Sequence, residues 1–209
     1  MKEFVTIKHD VKTELTEKKS KFIANFFYVE NMEDVQKNIK NIQKEYYDAR
    51  HNCVAYRVLD DGNLIERFSD DGEPSGTAGA PMLDILQKKQ LINVLIIVTR
   101  YFGGILLGTG GLVRAYTESL LNAINATELV EKELGQEMQI VLNYSEFENF
   151  KYYCKISKIK ILYIKYFENI TCKIEVNEEK KAKLLKDFAT KNINFIKMQE
   201  IARKYIEKQ

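Results

Sequence analysis

The chain has 209 residues, 45% of them hydrophobic and 30% charged, with a net charge of +2 at neutral pH. This length can build one large domain or two ordinary ones with real cores, and this balance excludes wholesale disorder. Its longest apolar runs, such as residues 94–98, are too short for a membrane-spanning helix, so no membrane partner is expected.

In chain order, residues 4–11 and 21–29 read as strands. Asn31 is a good N-cap for a helix with Glu33 and Asp34 in its first turn, and Met32, Val35, Ile39, Ile42 and Tyr46 recur at helical spacing. Residues 53–59 and 64–69 flank a hairpin turn signal that contains Asp61 and Gly62. Pro81 suits the first position of a helix over 81–89, and the continuous apolar run 92–98 predicts a central strand covered on both faces. The spacing over 112–124 predicts a helix that turns Leu112, Val113, Tyr116, Leu120, Leu121 and Ile124 inward and Arg114 away; a strand over 127–133 follows. Beyond it, a strand (135–144), a helix opened by a Ser145–Glu148 capping box, strands 158–167 and 169–176, a helix capped by Asn177 and a strand over 193–203 give the order βαββαβ. That is the ferredoxin-like plan.

Composition divides the chain at the same place. Nine of the ten glycines and both prolines lie between Gly62 and Gly111. Residues 1–133 carry 17 basic and 20 acidic side chains, whereas 134–209 carry 15 and 10. Two domains are therefore expected, 1–133 and 136–209, with Gly135 as a permissive joint. The N-terminal stretch lacks an apolar signal core and is too acidic for a transit peptide, which predicts a cytoplasmic location.

Three stretches carry candidate chemistry. Residues 99–119 place five glycines between Gly103 and Gly111, after a buried-type run and before a helix. Such a loop can present backbone N–H groups to an anion at a helix N-terminus, with Arg100 and Arg114 as charged partners. Alternatively, the glycines only permit tight turns. The spacing fits neither the P-loop, since no lysine follows Thr109, nor the dinucleotide fingerprint, since Val113 stands where a small residue is needed. In residues 66–81, Asp70, Asp71 and Glu73 are weak candidates for a divalent cation, and Ser75, Gly76 and Thr77 for an oxyanion; the same stretch also reads as turn chemistry. In residues 49–56, His51 and Cys53 share a strand face, which permits a thiolate–imidazole pair, with a buried structural cysteine as the alternative. The three cysteines show no C-x-x-C pair, against a disulfide framework or zinc site, and Cys154 and Cys172 read as core residues.

Residues 17–24 (EKKSKFIA), 49–58 (ARHNCVAYRV), 67–83 (RFSDDGEPSGTAGAPML) and 93–119 resemble the motifs of the YigZ/IMPACT family, over roughly the first 130 residues. The resemblance implies an α+β chain. Its N-terminal domain would be like the second domain of a small-subunit ribosomal protein, with a left-handed βαβ crossover. Its ferredoxin-like C-terminal domain would be similar to elongation factor G domains III and V. Eukaryotic relatives act in translational control under stress, and bacterial relatives are thought to bind nucleic acid or ribosomal components. The expected function is a non-enzymatic protein that binds RNA or a ribosome-associated partner and modulates translation, with no cofactor. Arg50, His51, Ser75, Gly76, Thr77, Arg100, Gly103, Gly104, Thr109, Gly110, Gly111 and Arg114 would meet phosphate. The rival is an enzyme on a small phosphorylated substrate, with Asp70, Asp71 and Glu73 holding a metal and His51 or Cys53 doing chemistry.

Overall fold

Alternation at residues 11–17 (VKTELTE), two lysines, and an apolar run from Phe22 form a hairpin that organises the first half of the chain. In the computed structural model, which describes residues 1–208, strand β1 (Glu3–Ile7) stops short of strand β2 (Val11–Glu17). The strand expected over 4–11 ends at Ile7, and β2 has no counterpart among the expected strands. Lys18 and Lys19 both adopt positive φ and turn the chain into β3 (Ser20–Tyr28). Helix α1 (Met32–Glu45) follows, with the Asn31 side chain accepting the Asp34 N–H as its cap. Then come β4 (His51–Asp60), β5 (Asn63–Ser69), α2 (Gly79–Lys88), β6 (Val94–Tyr101) and α3 (Thr109–Asn125).

The first unit comprises Glu3–Val130. Its sheet has the order β2-β3-β6-β4-β5, every neighbouring pair antiparallel. β3 and β4 therefore run parallel on either side of β6, joined through α1. Helices α2 and α3 pack one face around Phe22, Met82, Leu86, Tyr116 and Leu120, and α1 packs the other around Val35, Ile42 and Ile97. Covered on both sides, β6 buries Val94 to Val98 almost completely, as a continuous apolar run requires.

The second unit begins at Glu131 and holds most of β7 (Leu129–Leu142), α4 (Tyr144–Ile156), β8 (Lys160–Tyr166), β9 (Ile170–Asn177), α5 (Glu178–Ala189) and β10 (Lys197–Glu207). These four strands lie in the order β10-β7-β9-β8, all antiparallel. Both helices cover one face, where Phe147, Phe150 and Leu184 meet Ile170, Cys172 and Ile174.

Several local expectations are corrected. The strands expected over 127–133 and 135–144 are one, β7, and Gly135 lies inside it rather than at a joint. A Cβ there would fall 2.5 Å from Ile206 Cδ1, so a larger residue would have to displace the side chain that β10 lays over the glycine. Helix α4 starts at Tyr144 with Asn143 at its cap, so Ser145 cannot form the capping box with Glu148. Pro81 sits in the first turn of α2 but two residues after its start. Leu121 faces outward and Val113 is only half-buried, while Ala115, Ser119 and Ala123 join the buried stripe of α3, because small residues on that side let the helix pack closely on the sheet and α2.

Candidate functional site

Strand β6 delivers Arg100 to one end of the sheet, in register with Phe22 on β3 and His51 on β4. The Lys18–Lys19 turn, the loop after β5 and the loop after β6 all converge on this end.

The β5–α2 loop is tied down by its own carboxylates. Asp70 accepts N–H groups from Gly76 (2.8 Å), Ala78 (3.1 Å) and Gly79 (2.8 Å), so it satisfies the start of α2, where Ala78 offers no side-chain cap. Asp71 accepts the Asn52 N–H at 2.6 Å. His51 Nδ1 lies 2.8 Å from the Asp71 carbonyl, which only accepts, so Nδ1 carries the proton. Glu73 turns inward, its side chain 3% exposed, and receives Arg100 Nη1 at 2.7 Å and the Tyr116 hydroxyl at 2.8 Å. Cys53 Sγ lies 3.3 Å from that hydroxyl and 3.0 Å from the Asp70 carbonyl. Burial pushes the Cys53 thiol up to about 12 and drives the Tyr116 phenol far above its ordinary value. A desolvated ion pair of this kind adds little net stability but is costly to break. Here it latches the loop to β6 and α3.

These contacts correct much of the expected site. Arg100 is buried against Glu73, with its guanidinium over the Phe22 and Phe102 rings, and does not reach solvent as a phosphate ligand. The Gly76 N–H is taken by Asp70, and the Thr77 hydroxyl donates to the Pro74 carbonyl at 2.6 Å, which leaves no oxyanion cradle there. Asp70, Asp71 and Glu73 face three different sets of donors instead of one cation. The His51 ring turns to the Asp71 backbone while Cys53 enters the core, so no thiolate–imidazole pair forms. Ser75 is exposed at the loop tip, and Arg50 is exposed just before β4.

The glycines of the β6–α3 loop divide by role. Gly103 lies on the backbone of Lys19 and Ser20, and its N–H donates to Ser20 Oγ at 3.1 Å; neither its surface nor its donor is available to an anion. Gly104 (φ +83°) and Gly108 (φ +72°) need the left-handed region. Gly111 lets Leu107 fold back beneath it, at 2.9 Å from where a Cβ would stand. Gly110 and Gly111 are helical, not positive in φ as a loop reading suggests.

What remains open is the first turn of α3. Gly108 caps it without a side chain, and no acidic residue lies in that turn. Thr109 and Gly110 are exposed, and Arg114 Nη1 lies 3.9 Å from the position a Gly110 Cβ would take. Arg114 is exposed and its guanidinium has no partner among the described residues. A cavity of about 110 Å³ beside it is lined by Glu17, Lys18, Leu107, Gly111, Arg114 and Glu118. The turn brings Lys18 to this cavity, a placement that sequence reasoning missed; two polar residues between an alternating strand and an apolar one were the available signal.

The Impact N-terminal domain matches residues 18–124. The "IMPACT family member YvyE" of Bacillus subtilis (strain 168) is 37% identical over 191 residues, 91% of this chain and 87% of that one. An "IMPACT family member" of Haemophilus influenzae is 38% identical over 185 residues, 86% and 87% of the two chains. A solved structure described as that of a hypothetical protein superposes with a TM-score of 0.63 at 30% identity, over 96% of this chain and all of that one. The chain belongs to the IMPACT family.

Proposed function

We propose that the chain is a non-enzymatic component of translation that binds RNA or a ribosome-associated partner, and that the α3 N-terminus holds a phosphate of that partner. One observation carries the reading: the first turn of α3, with no side-chain cap and no acidic residue of its own, stands beside an exposed Arg114 whose guanidinium has no partner among the described residues. Partial positive charge on the free N–H groups and a planar guanidinium suit a phosphate oxygen. Thr109, Gly110, Gly111 and Arg114 form this site, with Arg50, Lys18 and Lys19 adding attraction around it. The translational role is supported by family membership together with the control of translation that the sequence resemblance implies. The enzyme reading has less support, because Cys53, Asp70, Asp71 and Glu73 are engaged within the fold.

The same proposal takes the two units as separate domains. The β10-β7-β9-β8 order supports the ferredoxin-like plan for the second. The parallel β3 and β4, joined through α1, support the crossover fold of a ribosomal protein's second domain for the first.

The test is a salt titration of RNA and ribosome binding. Arg114→Ala should keep wild-type melting and lower the slope of log affinity against log salt by roughly one, and Arg114→Lys should restore only part of the affinity. Three superimposable lines would reject the site.

A further inference from the structure

In the second unit both helices lie on the same side of the sheet, which leaves the opposite face without a helix of that unit. Register places the residues of that face. Lys160, Tyr163 and Lys165 come from β8, and Thr171, Lys173 and Glu175 from β9. Glu137, Gln139 and Val141 come from β7, and Lys197, Gln199 and Lys204 from β10. Tyr163 is 41% exposed. Its ring has Lys165 Nζ at 5.2 Å and Lys173 Nζ at 6.0 Å from the centroid. The face carries five lysines against two glutamates. Glu137 is held by Lys173 and Lys204, and Glu175 by Lys204 and, at 3.8 Å, Lys160. Lys165 and Lys197 have no carboxylate partner among the described residues.

We infer that the helix-free face of the second unit, with Tyr163 on its β8 edge, binds single-stranded RNA by stacking a base on the tyrosine ring while Lys165 and Lys197 meet the backbone. The inference rests on the proposed function for its class of partner and adds a surface to it. The physical case has three parts. A partly exposed aromatic ring that holds lysine ammonium groups by cation–π contact offers a π-face to any base once those flexible side chains turn to the phosphates, and it needs no base-specific donors. Lys165, beside Tyr163 on β8, and Lys197, across the sheet on β10, are held by no carboxylate and complement phosphates of a strand that crosses the sheet from the stacked base. Four strands at about 4.8 Å spacing make a face roughly 15 Å across, the scale on which four-stranded RNA-binding sheets stack two or three bases. A duplex hides its base faces, so this surface selects single strands and tolerates any sequence.

The experiment measures fluorescence anisotropy of the full chain with a labelled 12-nucleotide oligouridylate, alone and annealed to its complement. Wild type, Tyr163→Leu, Tyr163→Phe, Lys197→Ala and Arg114→Ala are compared. Tyr163→Leu should lose roughly ten-fold in affinity for the single strand and leave duplex binding unchanged, and Tyr163→Phe should bind like wild type. Lys197→Ala should reduce the salt slope by less than one, as expected for a single-strand contact. An unchanged Tyr163→Leu affinity, an equal loss on single strand and duplex, or no binding of the oligonucleotide would overturn the inference. If Arg114→Ala weakens binding while Tyr163→Leu does not, the α3 site stands and the sheet face falls; the opposite pattern keeps the face and removes the α3 site. Leucine suits a strand, and melting of each variant near wild type shows that the loss is one of stacking.

Discussion

Gly103→Ala is the sharpest test of how the β6–α3 loop is held. A Cβ at Gly103 would stand 2.0 Å from the Lys19 carbonyl carbon, 2.1 Å from its oxygen and 2.3 Å from the Ser20 nitrogen. Ordinary contact begins at 3.4 Å, so the loop and the hairpin turn must part by 3.4 minus 2.0, or 1.4 Å. No rotamer change can absorb this, because every atom approached is backbone in a hairpin paired from Val11–Phe26 to Glu17–Ser20. Overpacking of this kind costs about 1–3 kcal/mol. Stretching the 3.1 Å bond from the Gly103 N–H to Ser20 Oγ adds about 1 kcal/mol. The expected loss is therefore about 2–4 kcal/mol, or a fall in melting temperature on the order of 10 °C for a unit of this size. Thermal melts followed by circular dichroism measure it, with Gly104→Ala as the comparator. Gly104 has positive φ but open space around its Cβ position, so alanine there should cost only about 1–2 kcal/mol. If Gly103→Ala melts no lower than Gly104→Ala, close backbone packing is not what requires the glycine.

The buried pair should behave as a unit: Glu73→Ala strands the Arg100 guanidinium and the Tyr116 hydroxyl and should cost about 3–5 kcal/mol, while Glu73→Leu with Arg100→Met should recover much of that loss. Denaturant titration of the single and double variants checks this, and equal losses in both would show that the charge pairing is incidental. Cysteine chemistry should be silent in the native protein. Burial raises the thiols of Cys53 and Cys154 to about 12 and that of Cys172 to about 11, so at pH 8 the thiolate is scarce and a disulfide reagent should label none of the three until denaturant is added. Rapid native labelling at Cys53 would mean that the loop carrying Asp70 opens readily.

How much of this could be read before the fold was known follows from the range of each interaction. Helical spacing from Met32 to Tyr46, the caps at Asn31 and Asn177 and the apolar run into β6 are local signals, and the elements stand where they point. The βαββαβ order was equally legible, since it needs only periodicity and turns. The motifs around Cys53, Gly76 and Gly103 carried the family. Their chemistry did not follow from adjacency. Arg100 and Gly110 look like neighbours of one anion along the chain, yet Glu73, 27 residues upstream, takes the arginine into the core. Gly103 looks like a phosphate contact until Lys19 and Ser20, more than eighty residues away, are found against it. Lys18 carries no signal by itself and comes to the cavity beside Arg114 only because the hairpin turn packs against the loop. Periodicity and capping depend on residues within a turn or two, so the sequence determined most of the elements and the family, whereas β2 and the continuity of β7 had to come from strand pairing. Which polar groups are consumed inside the fold and which stay open to a partner depends on contacts between distant segments, and only the tertiary structure decided that.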